Sequence, residues 1–595
     1  MNLSNKLNTI LKEYYVGNKE SAYKKYQKIY LQNNKNIKLR FNLAVMQQEL
    51  GLLEEAELNY KSLIANNSDI KFKINLYNLY ITKGLLEDAL KIINEIQIDQ
   101  TDLVKINEDK AYILFLLKKY DESVNECNKI LKKNEKNINA LNTLGLCLFN
   151  LKNYDKSNKA LLKALDIDGE NIKVLNSLGR LNHEIRKSHE AELYFMKANE
   201  LIPNTFETLN NMAGFYLEEA EYLQAIDFFK KAEVLNPKNA VLLNNIAKTY
   251  SCIDKVDKAE EYCKKAISLD QKNDEFKKTL SIIFLKKQDF KNAWLYFDGR
   301  LGLSDFGNKN STLDLVKNKI PKNDNFHENS KILVLREQGV GDEILYGSMY
   351  SDLLNKFNNV IIECDDRLIP IFQNSFDKNH CSKFVKLGTY SKDKNAIKNF
   401  DHVIYAGSLG KYFRQNINDF PDSPYLKKID GYKDLELENI LKNCKGLKIG
   451  ISWKSFKNRY ASEKSLTLNN FQNIIDIQDS SIFNLQYGDI NNELKSFLTY
   501  RNKKIITLKK LDIFNNLTGL ANLLTNLDFF VTVSNSTAHL ASALGVNTIL
   551  IKPQSHASFH YWDYKDSRTP WYKTVKIISK DSLKDRELIK KIIKS

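Results

Sequence analysis

The chain has 595 residues, of which 43% are hydrophobic and 11% aromatic, and this excludes a largely disordered protein. Its formal charge is +16, but only 11 of the 89 basic residues are Arg. Because base readout and bidentate phosphate binding favour Arg, the Lys excess indicates solvated helix faces, with a nucleic-acid partner as the disfavoured alternative.

Seven cysteines occur without CxxC pairs, as expected of free thiols in a reducing compartment. The first residues contain no apolar stretch long enough for a secretion signal, and no run of 18 apolar residues occurs. The sequence therefore predicts a cytoplasmic protein without a transmembrane segment.

The first half of the chain is repetitive, with five segments that begin 34 residues apart. They start at Asn137, Asn171, Thr205, Asn239 and Asn273. Small residues recur at matching places: Gly145, Gly179, Ala213 and Ala247; Ser157, Ala191, Ala225, Ala259 and Ala293; Ala164, Ala198, Ala232 and Ala266. Small side chains let two antiparallel helices approach closely, so each segment is predicted to be a helical hairpin stacked on its neighbours.

This register resembles the tetratricopeptide repeat and extends backwards, which predicts about nine hairpins over residues 1–300. Such an α-solenoid has a concave groove, so a protein or peptide partner is expected there. Gly302, Gly307 and Pro321 then interrupt the periodicity, and residues 301–330 are predicted to be a linker.

After the linker, short apolar runs alternate with helical segments. The predicted strands are KILVL, NVIIEC and FDHVIYAG in a first block, then LKIGISW, IFNLQY, FFVTVS and NTILIKP in a second. This alternation predicts two doubly wound, Rossmann-like α/β lobes, residues 331–430 and 445–595, that face each other across a cleft. Ligands bind beyond the carboxyl ends of such strands, so the loops after the strands are the candidate sites.

The first candidate loop is REQGVGDEI, Arg336 to Ile344. Gly339 and Gly341 are predicted to permit a tight turn and to let a ligand approach the backbone. Asp342 lies at the start of the next helix. It either caps that helix or acts as the base that deprotonates an acceptor hydroxyl, and the spacing leaves both interpretations open.

The second loop runs from Gly450 to Leu468. Its cations are Lys454, Lys457, Arg459 and Lys464, with Ser hydroxyls between them. This set suits a diphosphate leaving group, although an ordinary charged loop in a Lys-rich protein is the alternative. Arg459 counts for more because Arg is scarce in this chain.

The third segment runs from Val531 to Gly545, where a buried strand ends in Ser534-Asn535-Ser536-Thr537 and an Ala-rich helix follows. Free N–H groups at the helix start, with the hydroxyls of Ser536 and Thr537, form a candidate anion site. The alternative is N-capping by Ser536 or Asn535, and both roles can coexist. His539 lies in the first turn, where a lone His is more often a packing residue than a catalyst.

Metal and cofactor chemistry find little support in the sequence. His556 and His560 are four residues apart in what reads as a loop, and no HExxH, DxD or Walker motif accompanies them. We therefore expect no metal and no cofactor.

Taken together, these segments resemble the heptosyltransferase-like GT-B glycosyltransferases that are found fused behind tetratricopeptide repeats in bacteria. The matching segments are LREQGVGDEILYGS, PDSPYL, KIGISWKS, FNLQYGD, SNSTAHLASALG and TPWYKTVKII. The plan also resembles the O-linked N-acetylglucosamine transferases, whose motifs match less well. The resemblance implies metal-independent, inverting transfer from a nucleotide-sugar donor.

The resemblance also implies roles for individual residues. Asp342 corresponds to the family's candidate base, and Lys454 and Arg459 to residues that contact the donor phosphates. The nucleotide diphosphate would be bound at the helix start by Ser536, Thr537 and His539. Many relatives have Asp where this chain has Asn535, which would remove a carboxylate contact to the donor. That departure supports the alternative hypothesis, a non-catalytic repeat scaffold with a degenerate transferase domain.

Overall fold

The computed structural model describes residues 3–99, 104–303, 312–321, 326–376, 383–456, 464–499, 504–553, 559–562 and 567–594. The chain divides into two compact units, Met1–Phe215 and Tyr216–Ser595, whereas the sequence predicted a division near residue 300. The second unit combines the last repeats with both α/β lobes. One reason is Trp294 of the last repeat, whose Nε1 donates a hydrogen bond of 2.6 Å to the carbonyl of Arg414.

The helices that begin in the first unit alternate between 13 and 14 residues. They are α1 (Leu3–Tyr15), α2 (Lys19–Gln32), α3 (Ile37–Glu49), α4 (Leu53–Asn66), α5 (Ile70–Thr82), α6 (Leu86–Asp99), α7 (Val104–Leu116), α8 (Tyr120–Lys133), α9 (Ile138–Asn150), α10 (Tyr154–Ile167), α11 (Ile172–Glu184), α12 (Ser188–Leu201) and α13 (Phe206–Glu218). The six pairs from α1–α2 to α11–α12 are predicted hairpins, and α13 is the first helix of the next one.

The residues that open the 34-residue register are helix N-caps. The side chain of Asn137 accepts a hydrogen bond from the backbone N–H of Ala140, and that of Asn171 accepts one from Val174. An Asn cap stabilises a helix by about 1 kcal/mol relative to Ala. Asn239 and Asn273 cap their helices in the same way, and Thr205 caps the remaining one with its hydroxyl, so these side chains fix where the five hairpins begin.

Small residues let the two helices of a hairpin approach closely, as predicted. An added Cβ on Gly145 would lie 2.5 Å from Leu161, and one on Gly179 would lie 2.5 Å from Phe195. In the hairpin of α7 and α8, the Ser123 hydroxyl donates a hydrogen bond of 2.6 Å to the carbonyl of Ala111. At Gly145 and Gly179 even a methyl group would push the two helices apart.

A second column, which the sequence did not reveal, sits in the turn between the two helices of each hairpin. In the first three hairpins it is Gly with positive φ, for example +78° at Gly51. Later hairpins place a larger residue in the same left-handed region, such as Lys152 at +60° and Arg186 at +64°. The turn conformation is thus kept although the residue type is not.

The second unit begins with the remaining repeat helices. They are α14 (Tyr222–Leu235), α15 (Ala240–Cys252), α16 (Val256–Leu269), α17 (Asp274–Lys286) and α18 (Phe290–Phe297). In the described part of the predicted linker a short helix forms, α19 (Thr312–Val316). Val316 is fully buried in the same cluster as Leu333 and Val403, so this part of the linker packs on the first lobe.

The first lobe is a four-stranded parallel sheet. Its strands are β1 (Ile332–Leu335), β2 (Val360–Cys364), β3 (Phe384–Lys386) and β4 (His402–Tyr405), in the order β3-β2-β1-β4. Its helices are α20 (Val340–Gly347), α21 (Tyr350–Lys356), α22 (Ile369–Ser375), α23 (Lys394–Lys398) and α24 (Gly410–Phe413). The three strands predicted for this block are present, and β3 is an additional edge strand.

The second lobe is a six-stranded parallel sheet in the order β10-β9-β8-β5-β6-β7. Its strands are β5 (Leu447–Ser452), β6 (Ser480–Asn484), β7 (Ile505–Ile506), β8 (Phe529–Val533), β9 (Thr548–Ile551) and β10 (Val575–Ile578). Its helices are α25 (Leu435–Asn443), α26 (Gln472–Ile475), α27 (Asn491–Leu498), α28 (Leu517–Leu524), α29 (Ser536–Ala543) and α30 (Arg586–Lys594). The predicted strands of the second block are present here.

Short 3₁₀ turns occur at Asp298–Gly302, Ala406–Leu409, Ile417–Asp419, Leu468–Phe471, His560–Trp562 and Asp581–Lys584. The strands that carry the candidate loops, β1, β5 and β8, are fully buried at their carboxyl ends. Across the described ranges, no helix combines the length and the apolar character needed to cross a membrane. Two parallel α/β sheets therefore follow the repeats, which confirms the coarse fold prediction.

Candidate functional site

The two lobes enclose a cleft of about 310 Å³ at the carboxyl ends of β1, β5 and β8. The first lobe contributes Arg336, Gly339, Gly341, Asp342 and Arg367 to its lining. The second lobe contributes Ser455, Lys464, Asn535, Ser536, Thr537 and His539. Residues from all three candidate loops therefore meet in one place, although the predicted binding roles themselves stay predictions.

Asp342 lies at the third position of α20 and is mostly buried, with 8% exposed. Its Oδ2 accepts a hydrogen bond of 3.2 Å from the backbone N–H of Gly339, the residue that precedes the helix. Its Oδ1 accepts one of 3.5 Å from the Tyr561 hydroxyl of the second lobe. The capping role is thus present, and the second bond also holds the carboxylate at the cleft.

The two glycines of this loop differ from their predicted use. Gly339 has a φ of −105°, which any residue adopts, while the left-handed residue of the turn is Gln338 at +60°. Gly341 does permit a close approach, but by a helix of the second lobe and not by a ligand as predicted. An added Cβ would lie 2.9 Å from His539 Cδ2 and 3.4 Å from Ser536 Cα. Gly341 therefore lets α20 pack against the start of α29.

At the start of α29, Asn535 is the N-cap. Its Oδ1 accepts a hydrogen bond of 3.0 Å from the N–H of Ala538, and its Nδ2 donates one of 2.9 Å to the Ser452 hydroxyl. Ser452 in turn donates to Gln486 Oε1, which also accepts from the backbone of Trp453. This buried network joins the ends of β5, β6 and β8, so the helix start is held rigidly.

The groups that face the cleft from the second lobe are mostly hydrogen-bond donors. Thr537 is 3% exposed at the first turn of α29, and the neighbouring Ser536 also lines the cleft. Lys464 is 7% exposed, and its Nζ lies 4.0 Å from the centre of the Phe559 ring. Hydroxyls, a helix N-terminus and an ammonium group together make a site that favours anions.

Lys454 lies apart from these groups. Its Nζ forms an ion pair of 2.5 Å with Glu493, and it is absent from the described lining of the cleft. The nearby cation that does line the cleft is Lys464, ten residues later in the same loop. Arg459, the other predicted phosphate ligand, lies outside the described residues.

Two arginines of the first lobe were missed by the sequence reasoning. Arg336 lies between Glu343 and Asp365, at 3.1 Å from each. Arg367 bonds both oxygens of Asp365 and also donates a hydrogen bond of 3.0 Å to the carbonyl of Phe514 across the cleft. The scarcity of Arg in the chain, which drew attention to Arg459, applies equally to Arg336 and Arg367 and could have identified them.

The loop that carries Asp342 is also tied to the last repeat. Arg300, in the turn after α18, donates hydrogen bonds of 2.8 and 2.7 Å to the two oxygens of Glu337. Glu337 also accepts a bond from the N–H of Gly407, and the pair is almost completely buried. A repeat residue therefore fixes the chain immediately before the cleft loop.

Within the described residues, no group of three His, Cys, Asp or Glu side chains is placed to bind a metal ion. His560 is buried beside Tyr561, and its predicted companion His556 lies outside the described residues.

Comparison with known proteins supports the repeats. Residues 138–171, 172–205 and 240–273 match the family model of the tetratricopeptide repeat, each one residue after a predicted start. Protein FlbA of Caulobacter vibrioides is 23% identical over 257 residues, which are 41% of this chain and 42% of that protein. The chain thus spans less than half the length of this relative.

Two solved structures are among those that are similar to part of this chain. A tetratricopeptide repeat protein from Parabacteroides merdae is 19% identical with a TM-score of 0.36, covering 42% of this chain and 98% of that one. PilF of Pseudomonas aeruginosa is 22% identical with a TM-score of 0.28, covering 35% of this chain and 94% of that one. The match to the family model shows that the chain contains tetratricopeptide repeats, which indicate a protein-interaction scaffold.

Proposed function

We propose that the α/β region is a GT-B glycosyltransferase that moves a sugar from a nucleotide-sugar donor to an acceptor, a protein or peptide, recruited by the repeats. The observation that carries the proposal is the meeting of the Asp342 loop and the anion-favouring start of α29 in one cleft between two parallel sheets. A ligand in open α/β sheets is expected at this edge.

The donor diphosphate would bind at the start of α29. The N–H groups there, the Thr537 hydroxyl and the Lys464 ammonium group would share the negative charge that develops on the leaving diphosphate. This stabilisation needs no metal ion, in keeping with the proposed metal-independent mechanism. Lys464 takes the role first predicted for Lys454, whose charge is compensated by Glu493.

Asp342 would accept the proton of the acceptor hydroxyl as that oxygen attacks the sugar carbon. The donors Gly339 and Tyr561 orient the carboxylate, and its place on the first lobe puts it opposite the diphosphate groups. Attack from the side opposite the leaving group inverts the configuration of the sugar carbon. A base in such a position contributes about 10²- to 10⁴-fold to the rate.

The test uses the full chain and a panel of nucleoside diphosphates and nucleotide sugars, with binding measured by calorimetry and turnover by release of nucleoside diphosphate. We expect one nucleotide to bind and its sugar conjugate to be turned over. Asp342→Asn should reduce turnover at least 100-fold and leave donor affinity within about threefold. Lys464→Met should instead weaken donor binding about tenfold.

Lys495→Met, which removes an exposed Lys of α27 in the same lobe, is the matched control and should change neither quantity. If the wild-type chain binds no nucleotide of the panel, the transferase proposal is rejected. An equal loss of affinity and turnover in Asp342→Asn would reject the role of Asp342 as base.

A second candidate is a repeat scaffold with an inactive α/β region. It is favoured by the engagement of Asn535 as a helix cap and of Lys454 with Glu493, which leaves fewer groups for a donor. This candidate predicts partner binding through the repeats that is unchanged by Lys464→Met and by every nucleotide. Partner pull-down with and without the panel separates the two candidates.

A further inference from the structure

The Asp342 carboxylate accepts hydrogen bonds from two separate segments of the chain. The N–H of Gly339, just before α20, lies 3.2 Å from Oδ2, and the Tyr561 hydroxyl of the second lobe lies 3.5 Å from Oδ1. Both segments are in contact with the last repeat hairpin, which consists of α17, α18 and the 3₁₀ turn Asp298–Gly302. The last hairpin is therefore placed to control both donors.

The first contact is the buried ion pair of Arg300 and Glu337. The guanidinium group holds both carboxylate oxygens, with Nε at 2.8 Å from Oε2 and Nη2 at 2.7 Å from Oε1. Nη2 also donates a hydrogen bond of 2.9 Å to the Ser408 hydroxyl, and the N–H of Gly407 donates one to Glu337 Oε1. Two parallel bonds from one guanidinium group fix direction as well as distance. The Glu337 side chain is therefore held in one orientation.

A strained turn lies between this ion pair and the carboxylate. Gln338, which follows Glu337 and precedes Gly339, has a φ of +60° although it is not glycine. Its side chain is exposed, and its carbonyl accepts a hydrogen bond of 3.4 Å from Arg336. A residue with a Cβ keeps the left-handed conformation only where its surroundings impose it. Without the anchor at Glu337 we expect the turn to relax and the Gly339 N–H to leave Asp342.

The second contact reaches the segment that contains Tyr561. The Phe297 ring of α18 meets the His560 ring edge to face, with the ring centres 6.3 Å apart. Helix α17 also lies against the 3₁₀ turn His560–Trp562. The Arg300 guanidinium lies 4.2 Å from the centre of the Phe297 ring, so one side chain joins the two contacts.

We propose that Arg300 is a positioning residue of the cleft. It acts through Glu337 and the Gln338 turn. The turn places the Gly339 N–H, and this N–H orients the Asp342 carboxylate. The use of the carboxylate as a base rests on the proposed function, whereas its orientation does not. The last repeat then contributes to the site itself.

The test observes the Gly339 amide by NMR of the full chain labelled with nitrogen-15 at its 22 glycines. The signal is assigned by its loss in Gly339→Ala, and Asp342→Asn gives its position when the acceptor is weakened. Arg300→Lys replaces the guanidinium group by an ammonium group that cannot bind both oxygens in parallel. We expect the amide proton to move upfield by at least half of the shift that Asp342→Asn produces.

Trp294→Phe is the matched control. It removes another buried hydrogen bond between the last hairpin and the first lobe, that of Nε1 with the Arg414 carbonyl, and leaves the Gln338 turn untouched. The Gly339 signal should stay at its wild-type position. An unchanged signal in folded Arg300→Lys overturns the proposal, as does an equal shift in the control.

Gln338→Gly separates positioning from a general loss of stability. Glycine adopts a positive φ without steric cost, so the turn no longer needs its anchor. In the Arg300→Lys background this substitution should return the Gly339 signal most of the way to its wild-type position, which a merely structural ion pair would not do. Failure of this rescue overturns the route through the turn. If Arg300→Lys does not fold, Glu337→Gln, which keeps the shape of the side chain, takes its place in both experiments.

Turnover connects the positioning to the proposed function. Arg300→Lys should lower kcat about tenfold and leave the KM for the donor within about twofold, because the donor-binding groups at the start of α29 are unchanged. A loss confined to KM contradicts the assignment. A shifted Gly339 signal with an unchanged kcat keeps the positioning and rejects Asp342 as base. If no nucleotide sugar is turned over, the proposed function is rejected and the Gly339 signal still decides the role of Arg300.

Discussion

Glycine allows a close approach of two helices both in the repeats and in the cleft. The contacted residue is near in sequence in the repeats and far away in sequence in the cleft. Gly179 admits Phe195 of the next helix, and the same relation recurs in the neighbouring hairpin at Gly145. Gly341 admits His539, which belongs to the other lobe. Close contacts that recur in every repeat appear in the sequence as small residues at a regular spacing. A single contact between distant parts of the chain produces no such pattern.

The largest expected effect on stability comes from a contact between distant parts of the chain, the ion pair of Arg300 and Glu337. Arg300→Met leaves the buried Glu337 carboxylate with the Gly407 N–H but without its charged partner, which costs about 3–5 kcal/mol. Urea unfolding, monitored by hydrogen exchange of the β1 amides, should show a lower free energy of unfolding for the second unit. Arg586→Met, at an exposed position, is the control; equal midpoints for both variants would contradict the role of the pair.

The local side is tested by Gly179→Ala. The added methyl would lie 2.5 Å from a ring carbon of Phe195, and such overpacking costs about 1–3 kcal/mol. Gly214 is a matched control, since it lies within α13 and an added Cβ meets nothing within 4 Å. Gly214→Ala should stabilise its helix by about 1 kcal/mol. If the two substitutions shift the melting temperature in the same direction, the distinction between the two glycines is refuted.

A third prediction concerns pH and the buried Glu343. Burial, partly offset by Arg336, raises the pKa of this carboxyl to about 7. The folded chain then binds the proton more tightly than the unfolded chain, whose Glu pKa is about 4.3. The stability from this group is complete below about pH 4 and is lost as pH rises towards 7, by about 1.4 kcal/mol per pH unit between the two pKa values.

Glu343→Gln should remove this part of the pH dependence. The measurement is the urea midpoint of the second unit at several pH values between 4 and 8. A variant that keeps the wild-type slope over this window would show that Glu343 is ionised throughout.

The smallest expected effect is at the hairpin turns. Lys152 adopts a φ of +60°, where earlier hairpins have Gly. Lys152→Gly should stabilise the first unit by about 1 kcal/mol because Gly adopts this conformation without steric cost. Lys156→Gly, within α10, is the opposite control and should destabilise by about 1 kcal/mol. A melting temperature that falls in both variants would disprove the strain at the turn.

The sequence predicted the repeats, their register and seven of the ten described strands because each depends on neighbours along the chain. It missed β3, β7 and β10, which have three, two and four residues and too little periodicity to stand out. It placed Asp342, Thr537 and His539 at strand ends, and the parallel sheets bring them together. It could not separate Lys464 from Lys454, since the choice depends on Glu493 of a different helix.

The bond between Arg300 and Glu337 has a consequence for how such a protein can be divided or recombined. A fragment that starts at residue 331 would carry a carboxylate in its interior with no countercharge, so the α/β half cannot be excised cleanly at the apparent junction. Exchange of the repeats for another array would have to retain the last hairpin. The final repeat and the α/β lobes thus belong to one structural unit and have to be kept together.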